Sequence, residues 1–157
     1  MSKNQERRIS DAHLQAIGSI VGNFAYLEAI IKLVIWMYSG LERQRTGQIF
    51  TSKLPFRALL EVLEAIIRET GATEDSIAYM KRLINRADRI NKRRNEIIHS
   101  TWAVGDDPSV ITRAKVELRE GYQFKAEELT ARQLNEISNR MSALAKEFID
   151  FSWSLYP

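Results

Sequence analysis

The chain has 157 residues, 45% of them hydrophobic, a formal charge of +3 and no cysteine. That is enough apolar matter for one compact domain without a structural metal, and the missing thiols exclude disulfide frameworks, cysteine nucleophiles and cysteine zinc sites. Two histidines leave no basis for a histidine-rich metal cluster, and so mild a positive charge identifies no partner by itself.

The opening MSKNQERRIS is polar and lacks the apolar core of a secretory signal. The greasiest run, 24–38, is interrupted by Glu28 and Lys32 and is too short to span a bilayer. A cytoplasmic protein with no membrane association is therefore expected. Few glycines, three prolines and apolar residues recurring three and four apart predict a mainly α fold. The first long helix should cover 11–38, with Ser10 as N-cap, Leu14, Ile17, Val21, Phe24, Ile31 and Ile35 on its buried side, and Gly40 as its stop. His13, near the start of this helix, reads as an ordinary surface residue.

A second helix begins near Leu54 and Pro55 and carries Leu59, Leu63 and Ile66 towards Gly71. The third starts behind Thr73, where Glu74 and Asp75 suit the positive end of a helix dipole, and continues to about His99. The pattern then changes. Val110, Thr112, Ala114, Val116 and Leu118 alternate with Ile111, Arg113, Lys115, Glu117 and Arg119, the two-residue period of a half-buried strand. With 100–104 before it and the turn signal Gly105-Asp-Asp-Pro-Ser109 between them, this predicts a small antiparallel hairpin at about 100–125. Thr130 and Gln133 form a capping box for a last helix carrying Leu134, Ile137, Met141, Leu144, Phe148 and Phe151. The expected architecture is one domain over 1–157: an antiparallel bundle of about four long helices with a β-hairpin inserted before the last.

On the third helix, winding at about 100° per residue puts Met80, Leu83, Ala87, Ile90, Ile97 and Ile98 on one stripe. Arg94 falls near its middle. A guanidinium cannot be left unpaired on a buried face, so the helix is exposed there, or Arg94 meets a carboxylate, a second subunit or an anionic ligand. Glu28, which interrupts the apolar run of the first helix, is a candidate partner; a structural Arg94–Glu28 ion pair and an arginine that snorkels to solvent are the plain alternatives. His99 has a plain reading too, as a protonatable group at the negative end of a helix dipole. Asn95 and His99, four residues apart, are neighbours on the helix surface. Arg94 has to curl towards them, so the three share a site only near the helix end. Upstream, Lys81, Arg82, Arg86, Arg89, Lys92, Arg93 and Arg94 gather seven positive charges in fourteen residues against the single acid Asp88. Arg82, Arg86, Arg89 and Arg93 recur at helical spacing, as a solvated face or as a track for an RNA backbone. Trp102 is either a base-stacking platform or an anchor joining the hairpin to the bundle.

Arg94-Asn-Glu-Ile-Ile-His99 resembles the R-N-x-x-x-H form of the R-x4-6-H motif of HEPN domains, at the end of a long helix in a helical chain. The resemblance implies a metal-independent endoribonuclease without a cofactor, working as a homodimer with two motifs facing one composite cleft. By that resemblance Arg94 binds the scissile phosphate, His99 transfers protons and Asn95 positions the pair. Glu28 would support Arg94, with Arg82, Arg86, Arg89, Lys92, Arg93 and Trp102 as RNA contacts. Toxins and antiviral effectors, held by an antitoxin or another protein partner, are the settings the resemblance suggests. The competing expectations are a HEPN-like module that binds RNA or nucleotide without catalysis, and a structural or regulatory homodimer.

Overall fold

The computed structural model describes residues 8–41, 45–117 and 123–155. The element order is α1 (Asp11–Ser39), α2 (Arg45–Ser52), α3 (Phe56–Glu69), α4 (Glu74–Ile98), β1 (Thr101–Val104), β2 (Val110–Glu117), β3 (Gln123–Thr130) and α5 (Ala131–Leu155). The chain is mainly helical, with its long helices assembled as a bundle and a small antiparallel sheet before the last of them.

The α1 helix stops where Gly40 adopts φ 68°, a left-handed conformation that glycine enters without a Cβ penalty. Its core stripe is Ala16, Ile20, Leu27, Ile31 and Val34, all essentially inaccessible, and it packs most extensively on α5. That stripe is rotated from the expected one. His13, three residues before Ala16, lies on it and is buried, whereas Leu14 and Val21 are 51% and 44% exposed. The expected surface histidine is thus interior, and two expected core residues face solvent. By length and composition α1 is apolar enough to cross a membrane, with 44% of its apolar window buried inside the bundle. The helix extends well upstream of residue 24, so the shortness of the 24–38 run does not decide the matter.

The short α2 was not foreseen. It lies so close to α1 that a Cβ on Gly47 would stand 2.9 Å from Cδ1 of Trp36, and Thr51 Oγ1 accepts the indole N–H of the same tryptophan at 3.1 Å. The α3 helix buries Leu59, Leu60, Leu63 and Ile67, the i, i+4, i+8 face of an amphipathic helix. Thr73 caps α4 by accepting the Ser76 amide, and Met80, Leu83, Ile84, Ala87 and Ile97 turn inward.

The expected hairpin is a three-stranded sheet in the order β1-β2-β3, extending to Thr130. The third strand, QFKAEELT, carries too many charges to show a clean alternation. Leu118 and Arg119 lie outside the described residues. Antiparallel register aligns Trp102, Arg113 and Glu127 in one row, and Val104, Ile111 and Leu129 in the next. Ile111 and Leu129 are buried, so the face carrying Ile111 and Arg113 is the one turned to the bundle. A charge cluster joins that face to α4. Glu127 takes both terminal nitrogens of Arg93 at 2.8 and 2.6 Å and also Arg113, while Glu96 pairs with Arg93 at 3.0 Å. The predicted capping box forms, with Gln133 Oε1 accepting the Thr130 amide at 2.8 Å and Thr130 Oγ1 accepting the Gln133 amide at 3.2 Å.

Two outcomes test this account. The Arg93 guanidinium holds the Glu127 carboxyl below its ordinary value of 4.5. Its contribution is therefore complete at neutral pH and lost as the pH falls through the lowered folded value. Glu127→Gln should cost about 1–2 kcal/mol at pH 7, allowing for solvent screening. In pH-dependent thermal melts that deficit should shrink below pH 4.5 and close in stronger acid. On α1, a Cβ added to Gly22 would meet nothing within 4 Å. Gly22→Ala should raise Tm by about 2–4 °C, because glycine inside a helix costs about 1 kcal/mol relative to alanine.

Candidate nucleic-acid interface

The motif occupies the last turn and a half of α4. Arg94 enters on the core side of the helix. Its guanidinium carbon lies 4.9 Å from the ring centroid of Phe24 on α1, and Phe24 is braced by Phe56 of α3, with ring centroids 4.7 Å apart. One terminal nitrogen donates to Asn95 Oδ1 at 2.9 Å. The Nε atom is buried with no hydrogen-bond acceptor. A buried donor without a partner forfeits about 1–3 kcal/mol, so the arginine is poorly explained as a stabilising device.

The Arg94–Glu28 ion pair, one of the alternatives the sequence left open, does not form. Glu28 instead accepts from Lys32 at 2.6 Å, one turn along the same helix, where an i, i+4 partner is in easy reach. Both Arg94 and Glu28 nonetheless line one open groove of about 410 Å³, together with Phe24, Phe56, Asn91 and Asn95. His99 is the C-cap of α4, its amide donating to the Asn95 carbonyl at 3.0 Å and its side chain exposed. It lines a neighbouring depression of about 340 Å³ with Lys92, Asn95, Glu96, Ser100 and Lys115. Asn95 is the residue common to both hollows. The five-residue separation of Arg94 and His99 turns them about 140° apart on the helix, so the amide between them is the bridge.

The helix end that carries His99 is held firmly. The Glu96 carbonyl accepts from the Ser100 hydroxyl and from Arg113, and the Ile97 carbonyl accepts the Trp102 indole N–H at 3.2 Å. These are last-turn carbonyls that a helix leaves without internal partners. Trp102 also packs against the core, which is the anchor's geometry rather than that of a free stacking platform.

The arginine ribbon divides into two populations. Arg86 makes a bidentate pair with Glu147 of α5 at 2.5 and 2.8 Å, Arg93 is committed to Glu127 and Glu96, and Lys92 pairs with Asp88 at 2.7 Å. These three are therefore neutralised by acids, against the expectation of an open cationic track. Arg82 lies 5.1 Å from the Tyr79 ring centroid, and Arg89 is exposed. Sequence reasoning missed Arg113, Glu127 and Arg140. The first sits on the same strand face as the apolar Ile111, and the last at the margin of the α5 apolar stripe; both positions were readable as cations beside a buried face. Among the described residues no group of three or more His, Asp or Glu is placed to hold a metal ion. The chain matches no protein-family model, no curated protein and no solved structure.

If Arg94 serves a ligand rather than the fold, Arg94→Met should keep the apolar stripe and remove the unmet donor. The expected result in thermal melts is unchanged or higher stability, by up to about 1 kcal/mol after loss of the cation–π contact. A loss of several kcal/mol would mark the residue as structural.

Proposed function

We propose that the chain is a metal-independent endoribonuclease of HEPN type. The carrying observation is Arg94: a guanidinium on an aromatic face, without a carboxylate partner among the described residues, opening on a groove that Asn95 links to the depression of His99. That arrangement supports the roles implied by the motif resemblance. Arg94 offers a planar donor fork for phosphate oxygens, His99 an imidazole for proton transfer, and Asn95 an amide to align them.

In the proposed reaction an RNA 2′-oxygen attacks the adjacent phosphorus. The 2′-hydroxyl proton passes to a base, the P–O2′ bond forms, the P–O5′ bond breaks and the departing 5′-oxygen receives a proton. The products are a 2′,3′-cyclic phosphate and a 5′-hydroxyl. Each motif has one histidine, so a homodimer supplies the second acid or base, each such group being worth about 10²–10⁴ in rate. The α1 surface with Val21 and Ala25 borders the Arg94 groove, and the exposed Leu14 and Val21 offer apolar area for that pairing.

The distribution of Arg94 and His99 over two hollows favours, as a second reading, an RNA- or nucleotide-binding module without catalysis. Purified protein assayed on mixed RNA with EDTA present separates the two. The nuclease reading expects fragments ending in 2′,3′-cyclic phosphate, a fall of about 10²–10⁴ in rate for His99→Ala, a comparable loss for Arg94→Ala, and retained melting behaviour in both. Cleavage that survives both substitutions, or that requires added metal, overturns it; binding without cleavage supports the second reading.

A further inference from the structure

A groove of about 410 Å³ runs between α4 and α5 on the other flank of α4, walled by Arg86, Arg89, Arg93 and Arg140 over an aliphatic floor that includes Ile90 and Ile137. Glu147 and Glu127 neutralise Arg86 and Arg93. Arg89 and Arg140 have no acid partner among the described residues and are both exposed. Arg82, whose only described contact of this kind is with the Tyr79 ring, lies on the same α4 face seven residues before Arg89, about 10 Å along the axis.

We infer that this groove is a second anion site, in which Arg89 and Arg140 hold phosphates of a single-stranded RNA backbone while Arg86 and Arg93 act as struts. Two cations approaching one trough from different helices repel each other, and a ligand with closely repeated negative charge relieves that repulsion. A phosphodiester chain carries such charge at every nucleotide, and the guanidinium fork matches phosphate oxygens two at a time. The walls and floor are arginine, isoleucine and alanine, with no aromatic ring for base stacking and no amide for reading base edges. Recognition here is of backbone, independent of base sequence. Arg82 extends the same charge beyond the groove, which suits a polymer better than one acidic side chain of a protein.

The ligand class rests on the RNA reading above, but the contact does not depend on cleavage. The probe is a fluorescein-labelled 2′-O-methyl oligouridylate, which lacks the attacking hydroxyl, titrated by anisotropy over a range of salt concentrations. For single strands each phosphate contact contributes about 0.7 to the slope of log K against log salt. The double variant Arg89→Gln/Arg140→Gln should lower the magnitude of that slope by about 1.4, weaken binding for all base compositions alike and leave Tm unchanged. Arg132→Gln, an exposed α5 arginine already paired with Glu136 at 3.1 Å, should leave the slope unaltered. An unchanged slope in the double variant overturns the proposal, as does a poly-glutamate peptide that binds with the same arginine dependence while the oligonucleotide does not. Loss of slope in a protein that cleaves no RNA leaves this site standing and removes the nuclease reading alone. Cleavage abolished by Arg94→Ala, with the slope untouched by the double variant, does the reverse.

Discussion

Arg94 stands in the middle of the stripe by which α4 joins the bundle, and a guanidinium at that point cannot be packed as an aliphatic side chain would be. The chain accommodates it against the π face of Phe24, which in turn packs on Phe56, so one cation from α4 meets the aromatic contact between α1 and α3 at this end. Cation–π contact is worth about 0.5–2 kcal/mol, comparable to the cost of the Nε left without an acceptor. The two nearly cancel, leaving no clear stabilising reason for arginine here. Selection for stability alone would favour a further apolar residue.

Away from that point, acids sort the surrounding cations. Arg86 and Arg93 are drawn into bidentate pairs across to α5 and β3, fixing the distance from α4 to its neighbours on both sides. Arg89, one turn from each, is left uncompensated among the described residues, as is Arg140 opposite. The same sequence ribbon thus supplies struts and open charges alternately. Charge density read along a helix does not distinguish them, because the deciding carboxylates sit 34 and 61 residues away in the chain.

The limits of helices α3, α4 and α5 were legible because each has a local signal: proline before Phe56, the Thr73 cap, the Thr130–Gln133 box. Position along the chain carries that information. Rotation about the axis is set by neighbours, and α1 gives no local signal for it: almost every face of that helix is apolar, so periodicity does not separate the exposed Leu14 and Val21 from the buried Ile20 and Leu27. Strand β3 is hidden because the charges of QFKAEELT blur the two-residue period, and Glu127 gains its role only through partners on α4 and β2. At the site, the spacing of Arg94, Asn95 and His99 correctly implied their different directions on the helix. That Glu28 would choose Lys32 over Arg94 depended on a competition between two cations that spacing does not weigh.

The sheet fastens the end of α4 through backbone carbonyls rather than through the motif's own side chains. Ser100, Trp102 and Arg113 occupy the oxygens of Glu96 and Ile97, so the turn bearing His99 cannot unwind without first breaking bonds to β1 and β2. For the proposed ribonuclease, the sheet would be an alignment jig for the imidazole. Where reacting groups must meet within a fraction of an ångström, a displacement of about 1 Å costs on the order of a hundredfold in rate. Under that proposal, loosening a strand with no ligand contact of its own would be felt first as poor aim.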